Sequence, residues 1–260
     1  MTPSRVAVIT GGASGIGREI ARRFVADGDR VVLGDLNAAL LTEAEAELGD
    51  ACTSTQCDVT VEADVERLVR HAVDTFGAVD IGVNCAGLGT LGPITSLAVE
   101  QWDLVLDVCL KGVFLATKHE AAAMQAAGRP GVIINIASIN ARQPGQGMSA
   151  YCTAKAGVEM FTRVAALELG PSGIRVVGIG PGLVDTPLTQ YQRELTAFRD
   201  SYLENIPMGR VGAPADIAAA AAFLASDGAS WISGDTLFVD GASLTRGYPM
   251  MLDIATGLTP

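Results

Sequence analysis

A glycine-rich turn near the start of the chain, within residues 6–17 (VAVITGGASGIG), constrains the fold more than any other stretch. Residues Val6–Thr10 are apolar and mostly β-branched, which predicts a buried strand. Glycines follow at positions 11, 12, 15 and 17, and a helical apolar pattern begins at Ile16. Such a turn lets a backbone approach a ligand and presents free N–H groups of a helix, so it predicts a pyrophosphate site. The alternative is a strand–helix turn that binds nothing.

Asp35 ends a second apolar run, residues 30–34, and lies 18 positions after Gly17. This is close to the ~20 positions expected for a carboxylate that binds an adenosine ribose. Such a carboxylate accepts hydrogen bonds from both ribose hydroxyls and opposes a 2′-phosphate. No basic residue follows it, because Leu36 and Asn37 come next, so we predict NAD rather than NADP. Capping of the helix that begins near Asn37 is the other role open to Asp35.

Charge and composition narrow the class of protein. The formal net charge is −11, with a pI near 4.6, and this opposes nucleic-acid and anionic membrane partners. The longest apolar stretch, 217–225, is far shorter than the ~18 residues that a membrane span needs. The five cysteines match no zinc spacing, and no metal site is predicted. We expect a cytoplasmic protein without a secretory leader, since the first strand begins near residue 5.

Strand and helix patterns alternate along all 260 residues, which predicts one domain with a seven-stranded, doubly wound parallel sheet, an α/β Rossmann fold. The predicted strands are 6–10, 30–35, 53–58, 79–84, 131–138, 174–179 and 236–240. The predicted helices are 15–27, 38–48, 62–76, 100–127, 150–169 and 214–225. Residues 180–213 form a long connection without a strong pattern, and loops of this length are usually functional.

The carboxyl ends of parallel strands line one crevice in such a sheet. The residues predicted there are Asp58 and Val59 after the third strand, Asn84 to Gly87 after the fourth, Ser138 after the fifth, and Pro181 and Gly182 after the sixth. All of these converge on the space above the glycine-rich turn. The sequence therefore predicts a single site for a cofactor and a substrate.

Tyr151 and Lys155 supply the chemistry, because residues four apart on a helix share one face. A tyrosine has a pKa of about 10, and lowering it to about 7 takes on the order of 4 kcal/mol. A nearby ammonium and an oxidised nicotinamide can jointly provide this stabilisation. The tyrosinate then removes an alcohol proton while hydride leaves the carbon. Alternatively, Tyr151 is a partly buried structural residue and Lys155 a solvated charge.

With these residues in place, the sequence resembles the short-chain dehydrogenase/reductase family over essentially its whole length. The matching motifs keep the family's order and spacing: Thr10-Gly11…Gly15…Gly17, Asn84…Ala86-Gly87, Ser138, Tyr151…Lys155 and Pro181-Gly182…Thr186. The resemblance implies nicotinamide-dependent oxidation of alcohols or reduction of ketones. It also implies a homotetramer, with the C-terminal strand region 236–241 in an interface.

The resemblance further implies roles for single residues. Ser138 orients the substrate, Tyr151 is the general acid/base and Lys155 holds the ribose. Val184 and Thr186 contact the nicotinamide amide, and residues 180–213 form the substrate loop. The complete candidate cofactor-binding set is Gly11, Ser14, Gly15, Ile16, Gly17, Asp35, Asp58, Val59, Asn84, Ala86, Gly87, Tyr151, Lys155, Pro181, Gly182, Val184 and Thr186.

Two cysteines depart from the family pattern. Cys109 stands where the family usually has an asparagine that positions a water linking the lysine to solvent, and a thiol replaces an amide poorly. Cys85 stands where a second asparagine is usual, and a small residue still fits there. The Cys109 departure leaves open a non-catalytic, NAD-sensing protein with an impaired proton relay.

The substrate is predicted only as a class. The loop carries the apolar residues Leu183, Leu188, Tyr191, Leu195, Phe198, Tyr202, Leu203, Ile206 and Met208. Some of them close the loop against the body, and those that face inward favour a sizeable apolar or alicyclic alcohol or ketone, such as a steroid. A sugar or polyol stays open, because Asn140, Arg142, Gln143 and Gln146 follow Ser138. An acyl-carrier-protein partner fits poorly with so acidic a chain.

Overall fold

A seven-stranded parallel sheet forms the centre of the computed structural model, which describes residues 4–257 apart from the side chains of residues 191 and 192. The strands are β1 (Val6–Thr10), β2 (Arg30–Asp35), β3 (Cys52–Gln56), β4 (Ile81–Asn84), β5 (Gly131–Ile136), β6 (Ile174–Pro181) and β7 (Thr236–Val239). Their order is β3-β2-β1-β4-β5-β6-β7, so the winding direction reverses between β1 and β4. This confirms the predicted doubly wound Rossmann-type sheet and creates a crevice at the carboxyl ends of those two strands.

Helices cover both faces of the sheet. They are α1 (Gly15–Ala26), α2 (Ala38–Leu48), α3 (Glu62–Phe76), α4 (Val99–Leu106), α5 (Gly112–Ala126), α6 (Ser149–Leu169), α7 (Gln190–Glu194), α8 (Thr196–Glu204), α9 (Pro214–Ala225) and α10 (Met251–Thr256). Helix α1 packs beside α9 on one face, and α3 packs beside α5 on the other. Among the described residues, no helix combines the length and the apolarity that crossing a bilayer would require.

The sheet separates two apolar cores. In β1, Ala7 and Ile9 belong to the core beneath α1 and α9, whereas Val6 and Val8 belong to the core beneath α3 and α5. Successive side chains of a strand point to opposite faces, so a strand covered on both faces is apolar throughout. This explains the continuous apolar run at residues 6–9.

Three predicted elements end early or change character near the crevice. Strand β5 ends at Ile136, because the chain then turns and Ser138 caps a 3₁₀ turn over Ile139–Ala141. The predicted helix 100–127 is interrupted by a π-helical turn over Asp107–Lys111, which contains Cys109. Such turns insert one extra residue and occur frequently at functional sites. Strand β3 ends at Gln56 and leaves Asp58 in the following turn.

The long connection over residues 180–213, which shows no strong pattern in the sequence, contains regular structure. Strand β6 continues to Pro181, and helices α7 and α8 occupy much of the remainder. Phe198 and Tyr202, one helical turn apart, are buried in a small core together with Met251 of α10. This segment is therefore helical because it packs on the C-terminal segment, which the local pattern does not reveal.

Candidate active site

A cleft of about 390 Å³ opens at the carboxyl ends of the strands, above the glycine-rich turn. Most of the predicted site residues line it: Gly11, Ser14, Gly15, Ile16, Asp35, Asp58, Val59, Ala86, Gly87, Ser138, Tyr151, Lys155, Pro181, Gly182, Val184 and Thr186. Cys85, within the predicted segment Asn84 to Gly87, lines the cleft as well, and so do residues that were not predicted, among them Leu36, Cys57, Val108 and Thr189. Leu36 and Cys57 adjoin predicted residues along the chain, which was the only available signal. Val108 comes from the π-helical turn and gave none.

The glycine-rich turn packs closely against neighbouring backbone. Gly11 has φ +63°, and a Cβ there would lie 2.8 Å from the backbone of Ala86. A Cβ on Gly17 would lie 2.2 Å from the carbonyl oxygen of Gly11. Ser14 is the N-cap of α1 but its side chain makes no capping hydrogen bond. The N-terminus of α1 therefore presents backbone N–H groups at the cleft, as a pyrophosphate site requires.

Asp35 is held at the edge of this turn by two backbone groups. Its Oδ2 accepts a hydrogen bond from the N–H of Ala13 at 3.2 Å, and its Oδ1 accepts one from the N–H of Asn37 at 3.0 Å. Asn37, rather than Asp35, caps helix α2, because its side chain accepts from the N–H of Leu40. The carboxylate is thus oriented in the cleft, and the capping alternative for Asp35 is wrong.

Two residues of the predicted cofactor set lie behind the cleft instead of lining it. Gly17 packs against the backbone of Gly11, so its function is to let the turn close. Asn84 is buried, and its Nδ2 lies 2.9 Å from Asn135 Oδ1 and 3.3 Å from Glu120 Oε2. The amide is drawn into a polar cluster beneath the sheet edge, where hydrogen-bonding partners compensate for its burial.

Glu120 of α5 completes this buried cluster. Its side chain is fully buried, and burial raises its pKa to about 8, against a smaller lowering by the hydrogen bond from Asn84. Within the described part of the chain, Glu120 Oε1 and Asn84 Oδ1 have no hydrogen-bond partner. A proton on Glu120 supplies a donor to a cluster in which acceptors are in excess, so the carboxyl is neutral at pH 7.

Ser138, Tyr151 and Lys155 converge where β5 ends and α6 begins. The Ser138 hydroxyl accepts a hydrogen bond from the N–H of Asn140 at 3.1 Å and is also hydrogen-bonded to Tyr151. The Lys155 ammonium donates to the carbonyl oxygen of Ile136 at 2.7 Å and lies 5.7 Å from the centre of the Tyr151 ring. The end of one strand and the first turns of one helix thus bring together a hydroxyl, a phenol and an ammonium.

Without a bound cofactor, the surroundings of Tyr151 oppose ionisation of its phenol. Burial raises the pKa of Tyr151, and the hydrogen bond with Ser138 lowers it by less. In the protein without its cofactor, desolvation of the phenolate therefore exceeds the stabilisation by neighbouring groups, and the lowering by ammonium and nicotinamide together stays a prediction for the cofactor-bound protein. Ionisation of Tyr151 near neutral pH requires further positive charge in the cleft.

Cys109 is fully buried beside this group and is held by the backbone of Leu88. Its Sγ accepts from the N–H of Leu88 at 3.4 Å and donates to the carbonyl oxygen of Leu88 at 3.2 Å. A Cβ on Gly87 would lie 3.8 Å from Cys109 Sγ and 3.9 Å from Lys155 Nζ. The thiol therefore fixes the loop after β4 close to the lysine.

A second cavity of about 230 Å³ adjoins the cleft, and the two linings share Ser138, Tyr151, Gly182, Leu188 and Thr189. Its walls come from the loop after β4, from the segment that follows β6, and from the C-terminal segment. The lining residues outside the shared ones include Leu91, Asn140, Met148, Leu183, Tyr202, Tyr248 and Met251. Tyr248 and Met251 were not predicted, because the C-terminal segment carries no pattern that places it over the sheet.

The apolar residues of the predicted loop divide into two groups. Leu183, Leu188 and Tyr202 line the cavity. Phe198 and Ile206 are buried in the small core under the loop, whereas Leu195 and Met208 are exposed. Leu203 is half-buried, and the side chain of Tyr191 lies outside the described residues. Both anticipated roles, lining and closure, are therefore present.

Most of the polar side chains that follow Ser138 form ion pairs or hydrogen bonds outside the cavity. Arg142 forms a 2.7 Å ion pair with Glu159. The Gln143 side chain donates to the carbonyl oxygen of Arg246, and Gln146 Oε1 accepts from the N–H of Leu252 at 3.1 Å. These side chains tie the C-terminal segment to the body. Asn140 is the residue of this group that lines the cavity.

Comparison with known proteins agrees with this geometry. A family model described as Enoyl-(Acyl carrier protein) reductase matches residues 11–242. The chain is 41% identical to 3beta-hydroxysteroid dehydrogenase 1 of Eggerthella lenta over 241 residues, covering 91% of this chain and 92% of the relative.

Two solved structures share the fold. A short-chain type dehydrogenase/reductase from Mycobacterium ulcerans has a TM-score of 0.92 and 34% identity, covering 96% of this chain and 94% of that one. A 3-ketoacyl-(acyl-carrier-protein) reductase from Brucella melitensis, complexed with NADH, has a TM-score of 0.85 and 39% identity, covering 92% and 98%. The sheet order, the motifs and these similarities give one conclusion: the chain belongs to the short-chain dehydrogenase/reductase family.

Proposed function

We propose that this oxidoreductase uses NAD to interconvert a secondary alcohol and a ketone on an apolar, alicyclic substrate. The observation that carries the proposal is the convergence of Ser138, Tyr151 and Lys155 where the cleft meets the cavity. A group bound in the cavity reaches the hydroxyls of Ser138 and Tyr151, and a group bound in the cleft reaches Tyr151 and Lys155. This is the arrangement that a proton transfer coupled to a hydride transfer needs.

Each of the three side chains has a distinct task. Ser138 holds the substrate oxygen, and Tyr151 takes the alcohol proton or returns it to the ketone. Lys155 donates one N–H to the carbonyl oxygen of Ile136. Its two remaining N–H groups donate to the ribose and to the phenolate. When bound, the nicotinamide supplies the hydride acceptor or donor. In oxidation Tyr151 must ionise in a buried environment, which favours a higher pH.

NAD is proposed over NADP because of the charges around Asp35. The carboxylate is held in the cleft by Ala13 and Asn37, where a ribose hydroxyl can donate to it. The basic side chain of Arg18 donates to the carbonyl oxygen of Ala13, beside Asp35, but is paired with Glu47 at 2.6 Å. A 2′-phosphate would therefore meet a carboxylate without an uncommitted cation. The NADH complex of the Brucella melitensis structure supports the same cofactor class.

The cavity supports a compact apolar substrate. Leu91, Leu183 and Met251 contribute apolar walls, and a volume of about 230 Å³ is below that of typical drug-sized sites. The similarity to a 3beta-hydroxysteroid dehydrogenase supports an alicyclic alcohol, of which a steroid would place its reacting ring here. A sugar or polyol is less well supported, because Arg142, Gln143 and Gln146 are engaged in other contacts.

We also propose a homotetramer, in keeping with the family resemblance. Two exposed apolar surfaces support it. One, on α5 and α6, contains Phe114, Met160, Val164 and Leu167; the other, near β7, contains Phe223, Trp231 and Leu237. Exposed apolar patches of this kind mark interaction surfaces. Light scattering on the purified protein tests the assembly. The cytoplasmic location stays a prediction of the sequence.

The direct test is oxidation of a panel of secondary alcohols, containing cyclic alcohols, steroids and polyols, with NAD and with NADP. We expect NADH formation with alicyclic alcohols and none in a Tyr151→Phe control. Turnover of polyols alone would contradict the proposed substrate class. NAD binding without turnover of any alcohol or ketone would favour the NAD-sensing alternative.

A further inference from the structure

One wall of the substrate cavity carries a chain of hydrogen-bonded polar groups. The hydroxyls of Tyr202 and Tyr248 lie 2.8 Å apart, and the Tyr248 hydroxyl donates to Asn140 Oδ1 at 3.2 Å. The Ser138 hydroxyl donates to the same oxygen at 3.4 Å. The two tyrosines come from α8 and the C-terminal segment, and no part of the proposed reaction uses them.

Asn140 fixes the direction of these hydrogen bonds. Its Nδ2 donates to the carbonyl oxygen of Gln143 at 3.0 Å, so its Oδ1 faces Tyr248. An amide oxygen only accepts, so Tyr248 donates to it, and Tyr202 in turn donates to Tyr248. Burial raises the pKa of Tyr248 to about 12 and raises that of Tyr202 as well. Both phenols therefore keep their hydrogens at neutral pH.

This direction determines what the wall can bind. The hydrogens of both hydroxyls are committed, and each phenolic oxygen keeps a lone pair. A ketone or ether oxygen has no hydrogen to donate and forms no hydrogen bond with these lone pairs, whereas a hydroxyl can donate to them. Met148, Leu183 and Met251 surround the pair with apolar surface, in which a well-placed polar contact has a strong effect on selectivity.

We propose that the Tyr202–Tyr248 pair binds a second hydroxyl of the substrate, so that the preferred substrates are alicyclic diols instead of simple cyclic alcohols. This inference rests on the proposed function for the reacting hydroxyl at Ser138 and Tyr151. Only one shared acceptor, Asn140 Oδ1, separates Ser138 from Tyr248. The Ser138 and Tyr248 oxygens lie 3.4 Å and 3.2 Å from that acceptor, a separation short enough for two hydroxyls on opposite sides of one six-membered ring to reach both.

The test compares cyclohexane-1,4-diol with 4-methylcyclohexanol, which replaces the second hydroxyl by a methyl group of similar size. In Tyr248→Phe we expect kcat/KM for the diol to fall about five- to tenfold, the size of one lost neutral hydrogen bond. The value for 4-methylcyclohexanol should change less than about twofold. A Met251→Leu control, on the same wall, should affect both substrates equally. Equal losses in Tyr248→Phe would overturn the inference.

A binding measurement separates this inference from the proposed reaction. Calorimetry on the Tyr151→Phe variant saturated with NAD reports binding of both probes without turnover. We expect tighter binding of the diol, and loss of that preference when Tyr248→Phe is added. Selective binding without turnover in the wild type would uphold the hydroxyl site and reject the proposed reaction. Equal binding of the two probes, or binding of neither, would overturn the hydroxyl site itself.

Discussion

The cofactor cleft and the substrate cavity meet at Ser138 and Tyr151, but different parts of the chain form their walls. The cleft is formed largely by backbone at the ends of neighbouring strands, with glycine where a side chain would intrude. The cavity is walled by side chains from distant segments, such as Tyr202 of α8 and Tyr248 near the C-terminus. The first region is fixed by sheet register, and the second by tertiary packing.

This difference predicts how each region responds to change. In the cleft, one added carbon meets backbone that cannot move, as the 2.2 Å distance at Gly17 shows. The cavity, in contrast, is walled by side chains such as Leu188, and α7 behind Leu188 is tied to the preceding loop by Arg193, which pairs with Asp185 at 2.7 Å. Substitutions in the cavity wall should therefore alter substrate choice while the cleft keeps its shape. The following predictions test this separation.

The largest effect is expected at Tyr151, which belongs to both regions. Tyr151→Phe should lower kcat by about 10²–10⁴, the range for a lost proton-transfer group, and leave NAD affinity nearly unchanged. In the wild type, oxidation should accelerate as pH rises, because burial raises the pKa of Tyr151 and the phenolate is the base. Steady-state kinetics and NAD titration measure both. Loss of NAD binding with Tyr151→Phe would make this residue structural.

Substitution of Glu120 tests the buried polar cluster beneath the cleft, because Glu120 lines neither the cleft nor the cavity. Its pKa is about 8 in the folded protein, against an ordinary value of 4.5. Between these values the folded state holds a proton that the unfolded state has lost. The free energy of unfolding should therefore fall as pH rises through this window, by up to roughly 1.4 kcal/mol per pH unit. Glu120→Gln should remove the slope.

Denaturant unfolding at several pH values between 4.5 and 9 measures this slope. The control is Glu66→Gln on α3, where the side chain is exposed. It should keep the wild-type dependence. Parallel curves for the wild type and Glu120→Gln would show that Glu120 is ionised in the folded protein.

The two regions also differ in how far the sequence predicts them. The glycine-rich turn, Asp35 and the strand ends are local patterns, and the structure places nearly all of those residues in the cleft. Asn84 is an exception, because the side chain at a strand end can turn towards the cleft or towards a buried partner such as Glu120. Local sequence does not decide between these directions.

The cavity was predicted only in part, for a physical reason. Tyr202 was among the candidate loop residues, but its partner Tyr248 lies 46 positions further along. The contact arises because Gln143 and Gln146 bind the C-terminal segment through its backbone. A backbone contact leaves no residue pattern in the segment that is bound. The π-helical turn at Cys109 was hidden in the same way, since its residues read as ordinary helix.

Gly17→Ala should distort the cleft and leave the shape of the cavity unchanged. The new methyl carbon would lie 2.2 Å from the carbonyl oxygen of Gly11, and relief requires the turn to open. Overpacking of this kind costs about 1–3 kcal/mol, so NAD affinity should fall roughly tenfold to a hundredfold. The control is Gly170→Ala, because a Cβ at Gly170 meets nothing within 4 Å. Similar losses in both variants would refute a specific effect of the turn.

Asp35→Ala measures how much Asp35 contributes to the preference for NAD over NADP. The wild type should use NAD with a lower KM than NADP, and the variant should narrow that ratio by about tenfold, because one charged hydrogen bond and one repulsion disappear. Binding of the proposed alicyclic alcohol should not change, since Asp35 lies outside the cavity. Kinetics with both cofactors measure the ratio. A wild type that uses NADP as well as NAD would contradict the ribose role of Asp35.

The smallest effect is expected at Cys109, which connects the two regions. Its thiol holds Leu88, which lines the cleft, and the next three residues line the cavity. Both hydrogen-bonding functions of the thiol are used by that backbone, so we expect the thiol to anchor the loop and not to carry protons. An asparagine amide offers a donor and an acceptor for the same contacts. Cys109→Asn should therefore change kcat by less than about threefold, under ~0.7 kcal/mol of barrier.

Cys109→Ala separates anchoring from proton transfer. Without the thiol, the loop after Leu88 loses both hydrogen bonds, so KM for the alcohol should rise while kcat stays within about twofold. An impaired relay gives the opposite result, because restoring an amide would then accelerate proton release. A tenfold increase of kcat in Cys109→Asn, with a smaller solvent isotope effect, would show that the wild-type enzyme is limited by its relay. The thiol of Cys109, at the junction of cleft and cavity, would then set the rate of turnover.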